Sequence, residues 1–242
     1  MDKKILKIHK KETGKIFLTG DIHGEKSLLM EELFWVNFNF EKDILICTGD
    51  LVDRGPENVE SIKLLNEPWF YSVFGNHDYH LIEFLETGFP SLYQTTRNGG
   101  YWAFDLTSEQ VDEILPLLKN KLSFGIEIYG ETDLPVCVFH SYVPGGDWNS
   151  FKKDRLINET VLEMKFSYPA PVLNCDLLIH GHSVTAVMKE SEGEQRMVSN
   201  YNVRFIDVGL TFFKSHHIFE LDWDDNGKAI VSPTKAYQKV DV

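Results

Sequence analysis

The chain has 242 residues, of which 43% are hydrophobic and 13% aromatic, and its formal net charge is -13. That length and apolar content are enough to bury the core of an α/β domain, so we expect a single domain over residues 1–242. The negative average field disfavours nucleic acid as a partner, and no apolar run is long enough to span a bilayer. We therefore expect a soluble monomer.

Lysines are concentrated near the N-terminus, and no apolar leader segment follows them, so residues 1–14 are expected to form a solvated basic arm. Residues 224–242 are expected to extend beyond the last strand. The three cysteines, Cys47, Cys137 and Cys175, lie singly in apolar runs without a paired spacing. This usage is typical of a reducing compartment and predicts a cytoplasmic protein.

Strands and helices alternate in the first part of the chain. The predicted strands are 15–19, 43–48 and 70–74, and the predicted helices that follow them are 26–38, 57–67 and 80–86. Such alternation is typical of parallel βαβ units, whose ligands collect beyond the carboxyl ends of the strands. The pattern predicts an α/β fold with a site at that edge.

The second part of the chain begins with a predicted helix over 108–119, which Pro116 interrupts. Beyond it, β-branched and aromatic residues predict strands over 124–128, 135–139, 176–179, 203–207 and 217–223. We expect this half to be more antiparallel than the first.

A Gly-bounded cluster of metal-ligand residues follows each of the first three predicted strands. The clusters are Gly20-Asp21-Ile22-His23-Gly24, GDLVDRG over 49–55, and Gly75-Asn76-His77-Asp78. Any one of them could be a turn with a capping Asp or Asn. Their joint occurrence favours a phosphoester hydrolase with two divalent cations, which needs a carboxylate shared between ions roughly 3.5–4 Å apart.

Strand geometry indicates which side chains hold each ion. Side chains two residues apart in an extended segment point to the same side, so Asp21 and His23 can bind one ion together. Asp50 follows the neighbouring strand and is the natural bridging carboxylate. The second ion is expected to be held by Asp50, Asn76, His140 and His182.

The sequence resembles the metallophosphoesterases, and within them the lambda-type branch of bacterial and phage serine/threonine protein phosphatases. Beyond the three clusters, the resemblance rests on Pro68-Trp69-Phe70, Asn98-Gly99-Gly100-Tyr101-Trp102 and Phe205-Ile206-Asp207-Val208-Gly209. It covers roughly residues 16–221. It implies a sandwich of two mixed β-sheets flanked by helices, with a dinuclear site at the strand carboxyl ends, usually loaded with manganese.

The resemblance also implies residue roles. The ligands of the two ions match the set given above, His77 is the general acid oriented by Asp53, and Arg54 and Asn76 contact the substrate phosphate. A metal-bridging hydroxide would attack phosphorus in line while His77 protonates the leaving oxygen. The implied activity is hydrolysis of phosphoserine and phosphothreonine, with phosphotyrosine within the range of so weakly selective a site. The expected partner is a phosphoprotein or a small phosphoester.

Some positions depart from the family pattern. Asp78 stands where Glu is usual, and no ligand is lost by that change. The family's second phosphate-binding arginine is missing, and Lys165 stands at the corresponding place, with Arg155 as a rival candidate. A lysine keeps the charge but loses the two-pronged guanidinium geometry. An ordinary solvated residue is the alternative interpretation of Lys165.

Other functions and sites are also open. The run Asp78-Tyr79-His80-Leu81 is similar to that of the symmetrical diadenosine tetraphosphate hydrolases, whereas Asp53 and the Asn-Gly-Gly-x-Trp feature favour the protein phosphatases. A non-catalytic phosphate-binding protein and a nuclease are less favoured, because the acid and phosphate-binding residues are intact and no basic stripe is present. Trp102 could line a substrate groove, but a place in the core is the favoured expectation, because aromatic residues are usually buried there.

Overall fold

The computed structural model describes residues 4–95, 98–154, 159–165, 168–214 and 218–234. Its strands are β1 (Ile5–His9), β2 (Ile16–Thr19), β3 (Ile44–Cys47), β4 (Phe70–Ser72), β5 (Gly125–Tyr129), β6 (Val136–Phe139), β7 (Leu178–His180), β8 (Val198–Asn200), β9 (Val203–Phe205), β10 (Ile218–Trp223) and β11 (Ala229–Pro233).

The α-helices are α1 (Lys26–Trp35), α2 (Asn58–Lys63), α3 (Asn76–Thr87), α4 (Leu92–Thr95), α5 (Ser108–Lys121), α6 (Trp148–Asp154), α7 (Glu159–Leu162) and α8 (Leu210–Phe213). Short 3₁₀ helices are found at Lys10–Glu12, Leu64–Asn66, Gly100–Asp105, Pro144–Gly146, Thr185–Val187 and Lys189–Ser191. In the described ranges, no helix is both long and apolar enough to cross a bilayer.

The strands form two mixed sheets, as predicted. One has the order β1-β5-β6-β7-β9-β8, and the other has the order β11-β10-β2-β3-β4. Strands β2, β3 and β4 are parallel to one another, as are β6, β7 and β9. Antiparallel pairs occur in both sheets, β5–β6 and β8–β9 in the first and β10–β2 and β10–β11 in the second. The segments that follow β2, β3, β4, β6 and β7 carry the predicted ligands.

Alternation along the strands divides the core into layers. In β2, Ile16 and Leu18 pack in the cluster that also contains Ile126 and Val138 of the other sheet, whereas Phe17 packs with the helices that cover the outer face. Each such side chain contributes about 1.5–3 kcal/mol when fully buried. Helices α1, α2, α3 and α5 contribute to one outer layer and α6 and α7 to the other. The sandwich between these layers is what positions the ligand-bearing loops.

The prediction of a solvated arm over residues 1–14 is wrong for Ile5–His9. These residues form β1, which pairs with β5 in parallel, and Ile8 is buried. The apolar alternation in this segment is short and flanked by lysines, so it is weak evidence for a strand. Pairing with a distant strand stabilises it. Likewise, the expected extension over residues 224–242 contains a strand, because Ala229–Pro233 form β11 and pair with β10, and residues 235–242 lie outside the described ranges.

The third helix begins earlier than predicted, at the third ligand cluster itself. The Asp78 carboxylate accepts hydrogen bonds from the Gly75 N–H at 3.0 Å and the Leu51 N–H at 2.9 Å. It thereby satisfies one of the free donors at the start of α3 and ties α3 to the loop after β3. Asn76 and His77 consequently lie on a helical turn rather than on a loop. Helix α5 also differs from the prediction, because it continues through Pro116.

Candidate active site

Backbone hydrogen bonds join the ligand-bearing loops within each sheet, and a bond from a backbone N–H to a carboxylate joins the loops of different sheets. The His23 N–H donates to the Asp50 carbonyl at 2.9 Å, and the Gly181 N–H donates to the His140 carbonyl at 3.0 Å. The His182 N–H donates to the Asp21 carboxylate at 3.0 Å, which connects the two sheets. Five residues of the loops after β2, β3 and β7 have positive φ, a conformation that costs free energy and that is common at functional sites. They are His23, Asp50, Asp53, Arg54 and His182.

Two glycines allow this close approach. A Cβ atom at Gly75 would collide with the Asp50 carboxylate, and one at Gly181 would collide with Thr48 and the Asp21 carboxylate. Any larger residue would therefore push apart the loops that carry the predicted ligands.

Hydrogen bonds to the backbone orient two of the predicted imidazole ligands. His23 Nδ1 lies 2.8 Å from the Val52 carbonyl, and His140 Nδ1 lies 2.8 Å from the Thr48 carbonyl. A carbonyl only accepts, so each Nδ1 carries the proton. Burial lowers the pKa of both rings, that of His140 to about 3, and both are neutral. Each Nε2 therefore presents a lone pair to the site, the arrangement typical of metal-binding histidines.

The donor set fits divalent cations. His140 Nε2 lies 2.8 Å from Asn76 Oδ1, so two acceptors face each other. Such a contact is repulsive unless a cation lies between the two atoms. The Nε2 atom of His182 is buried without a hydrogen-bond partner within the described part of the chain. An unpaired buried nitrogen costs free energy that a bound metal would recover.

Asp50 lies between two groups of possible ligands. His23, Asp50 and His77 form one group, and Asp50, His140 and His182 form the other, each with ligand atoms within 4.8 Å of one another. Asp50 Oδ2 is 3.8 Å from His23 Nε2 and 3.5 Å from His140 Nε2. The geometry therefore suits two cations that share the Asp50 carboxylate.

Asp21 lies beside this bridge, with further carboxylates nearby. Its Oδ1 atom is 3.9 Å from His140 Nδ1 and accepts from the Thr48 hydroxyl at 3.0 Å. Burial, then Asp207 and Asp50, raise the pKa of Asp21, while burial and Asp78 raise the pKa of Asp50. Closely packed buried carboxylates ionise readily only when positive charge lies among them. The electrostatics are therefore those of a cation site.

The predicted acid and its partner are in contact. His77 Nδ1 lies 2.6 Å from Asp53 Oδ2, and the Trp102 indole N–H donates to Asp53 Oδ1 at 2.8 Å. Burial raises the pKa of Asp53 to about 7 and lowers that of His77. The Arg54 guanidinium contacts His23 Nε2 and lies 2.9 Å from His77 Nε2, so it points into the site.

These groups open into a cavity of about 200 Å³. Lys165 is exposed at its rim, whereas the rival Arg155 lies outside the described residues. The cavity is lined by His23, Asp50, Arg54, Asn76, His77, Tyr93, Asn98, Glu163, Lys165 and His182. Four of the six predicted metal ligands thus line the cavity together with Arg54, His77 and Lys165. The other predicted residues, His140, Asp53 and Asp21, each contact a residue of that lining.

Some residues at the site were not predicted from the sequence. Trp102 packs partly buried against the core, as expected, but its hydrogen bond to Asp53 was not predicted, and its place in the Asn-Gly-Gly-x-Trp feature was the available signal. Tyr93 and Glu163 line the cavity without belonging to any motif. Their separation along the chain left no pattern that could have paired them.

Three known proteins show where the chain is similar. Serine/threonine-protein phosphatase 2 of Escherichia coli (strain K12) is 40% identical over 144 residues, which are 59% of this chain and 65% of that protein, or less than two thirds of its length. A symmetrical bis(5'-nucleosyl)-tetraphosphatase of Yersinia pestis (strain Pestoides F) is 43% identical over 68 residues, 27% of this chain and 24% of that one. A protein serine/threonine phosphatase structure from Saccharomyces cerevisiae has a TM-score of 0.55 at 15% identity, covering 98% of this chain and 85% of that one.

The structural similarity concerns the fold alone, because 15% sequence identity does not indicate a shared substrate. A model of the calcineurin-like phosphoesterases matches residues 14–186. That range includes all three Gly-bounded clusters, His140 and His182. The chain therefore belongs to the calcineurin-like phosphoesterase family, whose members are metal-dependent hydrolases.

Proposed function

We propose that the protein is a phosphomonoesterase that acts on phosphoserine and phosphothreonine in proteins. The observation that carries the proposal is that one small cavity holds a shared carboxylate between two ligand groups, next to an Asp–His pair and an arginine. Similarity to a bacterial serine/threonine-protein phosphatase supports this substrate class. We also propose manganese as the metal and the cytosol as the compartment.

The proposed ligands divide between the two ions around Asp50. Asp21 and His23 would hold the first ion, and Asn76, His140 and His182 would complete the second. When bound, the two cations would supply an activated water and neutralise charge on the phosphate. The hydrogen bonds from His23 and His140 to backbone carbonyls keep the Nε2 atoms directed at these positions.

His77 is proposed as the general acid. Asp53 accepts a hydrogen bond from the Nδ1–H of His77 and keeps the ring oriented, so that Nε2 faces the cavity. A proton on Nε2 can then pass to the alkoxide that leaves phosphorus, and the Asp53 carboxylate stabilises the imidazolium that donates it. Trp102 holds the other oxygen of Asp53 and limits its rotation.

Arg54 and Lys165 are proposed to bind the phosphate. The Arg54 guanidinium already lies in the cavity, where its N–H groups face Nε2 of His23, a proposed metal ligand, and Nε2 of His77, the proposed acid. A planar guanidinium can donate two parallel hydrogen bonds to phosphate oxygens, while the Lys165 ammonium adds charge at the rim. Asn76 is proposed to contact both an ion and the phosphate.

Hydrolysis of p-nitrophenyl phosphate tests the proposal. We expect turnover with added manganese, its loss after complete chelation, and its recovery when manganese is returned, because the nucleophile is too weak without cations. A protein stripped of metal, as verified by elemental analysis, that still turned over the substrate at an unchanged rate would contradict the proposal.

Trp102→Phe tests the support of Asp53. We expect kcat to fall by at least about tenfold, because a hydrogen bond to a charged group is worth about 1.5–3 kcal/mol. KM and the manganese requirement should not change. Trp35→Phe, on the exposed side of α1, is the control. Equal rates for both variants would show that Asp53 needs no such support.

A second candidate is hydrolysis of dinucleoside polyphosphates, which the similarity to a symmetrical bis(5'-nucleosyl)-tetraphosphatase favours. Rates on phosphoserine peptides and on diadenosine tetraphosphate, measured side by side with manganese, discriminate between the two. We expect the peptides to be hydrolysed faster. Rapid symmetrical cleavage of the dinucleotide with no action on peptides would favour the second candidate.

A further inference from the structure

Asn76 has an amide side chain with two chemically different ends. Its Oδ1 atom lies 2.8 Å from His140 Nε2, and its Nδ2 atom donates to the Tyr93 hydroxyl at 2.8 Å. Nδ2 is also 3.4 Å from Glu163 Oε1. If the amide turned over, an NH₂ group would point to the position where the second cation is proposed. That orientation would remove a ligand and add a repulsive donor.

The neighbours of Asn76 allow only one orientation. The Tyr93 hydroxyl hydrogen-bonds to the Glu163 carboxylate. Because a carboxylate can only accept, Tyr93 donates its single hydroxyl proton in this bond. The hydroxyl oxygen can then only accept from Asn76, which must present Nδ2 to it. The Glu163 carboxylate therefore fixes the direction of these hydrogen bonds. As a result, Asn76 Oδ1 is turned toward His140.

Aromatic contacts hold Tyr93 in place. Its ring stacks on His80, with centroids 4.0 Å apart, and lies perpendicular to the His77 ring, with centroids 4.6 Å apart. Tyr93 comes from α4 and Glu163 from the segment after α7, so two distant parts of the chain meet over the first turn of α3. Both side chains line the cavity.

We propose that Tyr93 and Glu163 are positioning residues that keep the Asn76 amide oxygen directed at the second cation. This inference rests on the proposed function, because it assumes that Asn76 is a ligand. Groups that orient metal ligands typically affect metal affinity by about 10–100-fold when they are removed. Tyr93 and Glu163 thus act through Asn76, and their first effect is on cation binding rather than on the chemical step.

The test is titration of the metal-free protein with Mn²⁺, with free Mn²⁺ followed by electron paramagnetic resonance. We expect Tyr93→Phe and Glu163→Ala to raise the Kd of the second cation at least about tenfold and to leave the first cation bound. Glu163→Gln should stay within about threefold of the wild type, because its amide oxygen can still accept from Tyr93.

Tyr101→Phe is the matched control. It removes a hydroxyl that donates at 2.7 Å to the carbonyl of Thr95, the last residue of α4. The proposal requires unchanged Mn²⁺ affinity in this variant. Wild-type affinity in both Tyr93→Phe and Glu163→Ala would overturn it, as would an equal loss in Tyr101→Phe. A wild-type protein that bound two cations and turned over substrate in that experiment would leave the proposed function standing, whereas one that bound fewer than two would overturn both.

Discussion

Replacing Asp50 by Asn is expected to lower kcat/KM for p-nitrophenyl phosphate by at least about three orders of magnitude, or about 4 kcal/mol of transition-state stabilisation. Asp50 is the residue common to both groups of possible ligands. An amide has the shape of the carboxylate but lacks its charge and offers a single oxygen, so it cannot bridge two cations. Steady-state kinetics at saturating manganese, with metal content measured in parallel, check this result.

The same variant should remain folded. The introduced amide could still accept the hydrogen bond that the His77 N–H gives to Asp50 Oδ1 at 2.9 Å, and burial already favours an uncharged group there. The melting temperature of the metal-free variant should therefore equal or exceed that of the metal-free wild type. Asp222→Asn, on the exposed side of β10, is the control and should keep full activity. Full activity of Asp50→Asn would contradict the dinuclear mechanism.

Replacing His77 by Asn is expected to slow hydrolysis most for substrates whose leaving group must be protonated. General acid catalysis contributes about 10²–10⁴-fold, so the rate on a phosphoserine peptide should fall by at least about 100-fold. p-Nitrophenolate leaves as a stable anion, and its release should slow by no more than about tenfold. The measurement is the ratio of kcat values for the two substrates, in variant and wild type.

Metal binding must be measured in the same His77→Asn protein, because His77 belongs to one of the possible ligand groups. His9→Asn, an exposed residue of β1, serves as the control. An equal loss on both substrates, together with a lost cation, would make His77 a ligand rather than an acid.

The candidate site was largely predictable from the sequence because its residues follow strands in short Gly-bounded clusters. In a parallel arrangement, the ends of neighbouring strands must meet at one edge, so the order of strands and clusters was enough to place Asp21 and Asp50 together. The two mixed sheets and flanking helices, which the resemblance implied, were confirmed. The identity of the metal and the roles of individual residues stay predictions.

What the sequence did not show depends on contacts between distant segments. Strand β1 forms because Ile5–His9 pair with Gly125–Tyr129. The lysine-rich segment itself has no pattern that indicates this partner. The early start of α3 depends on Asp78, whose carboxylate bonds to Gly75 and Leu51. Tyr93 and Glu163 meet across 70 positions of the chain. Local periodicity carries no information about such pairs.

The hydrogen bond between the His182 N–H and the Asp21 carboxylate joins residues 161 positions apart, in loops that belong to different sheets. Cations bound at this seam would act as cross-links that close a very long loop. Part of their binding free energy would then be folding free energy, since the unfolded chain has no preformed site. Metal supply would then affect both the rate of hydrolysis and the lifetime of the folded protein.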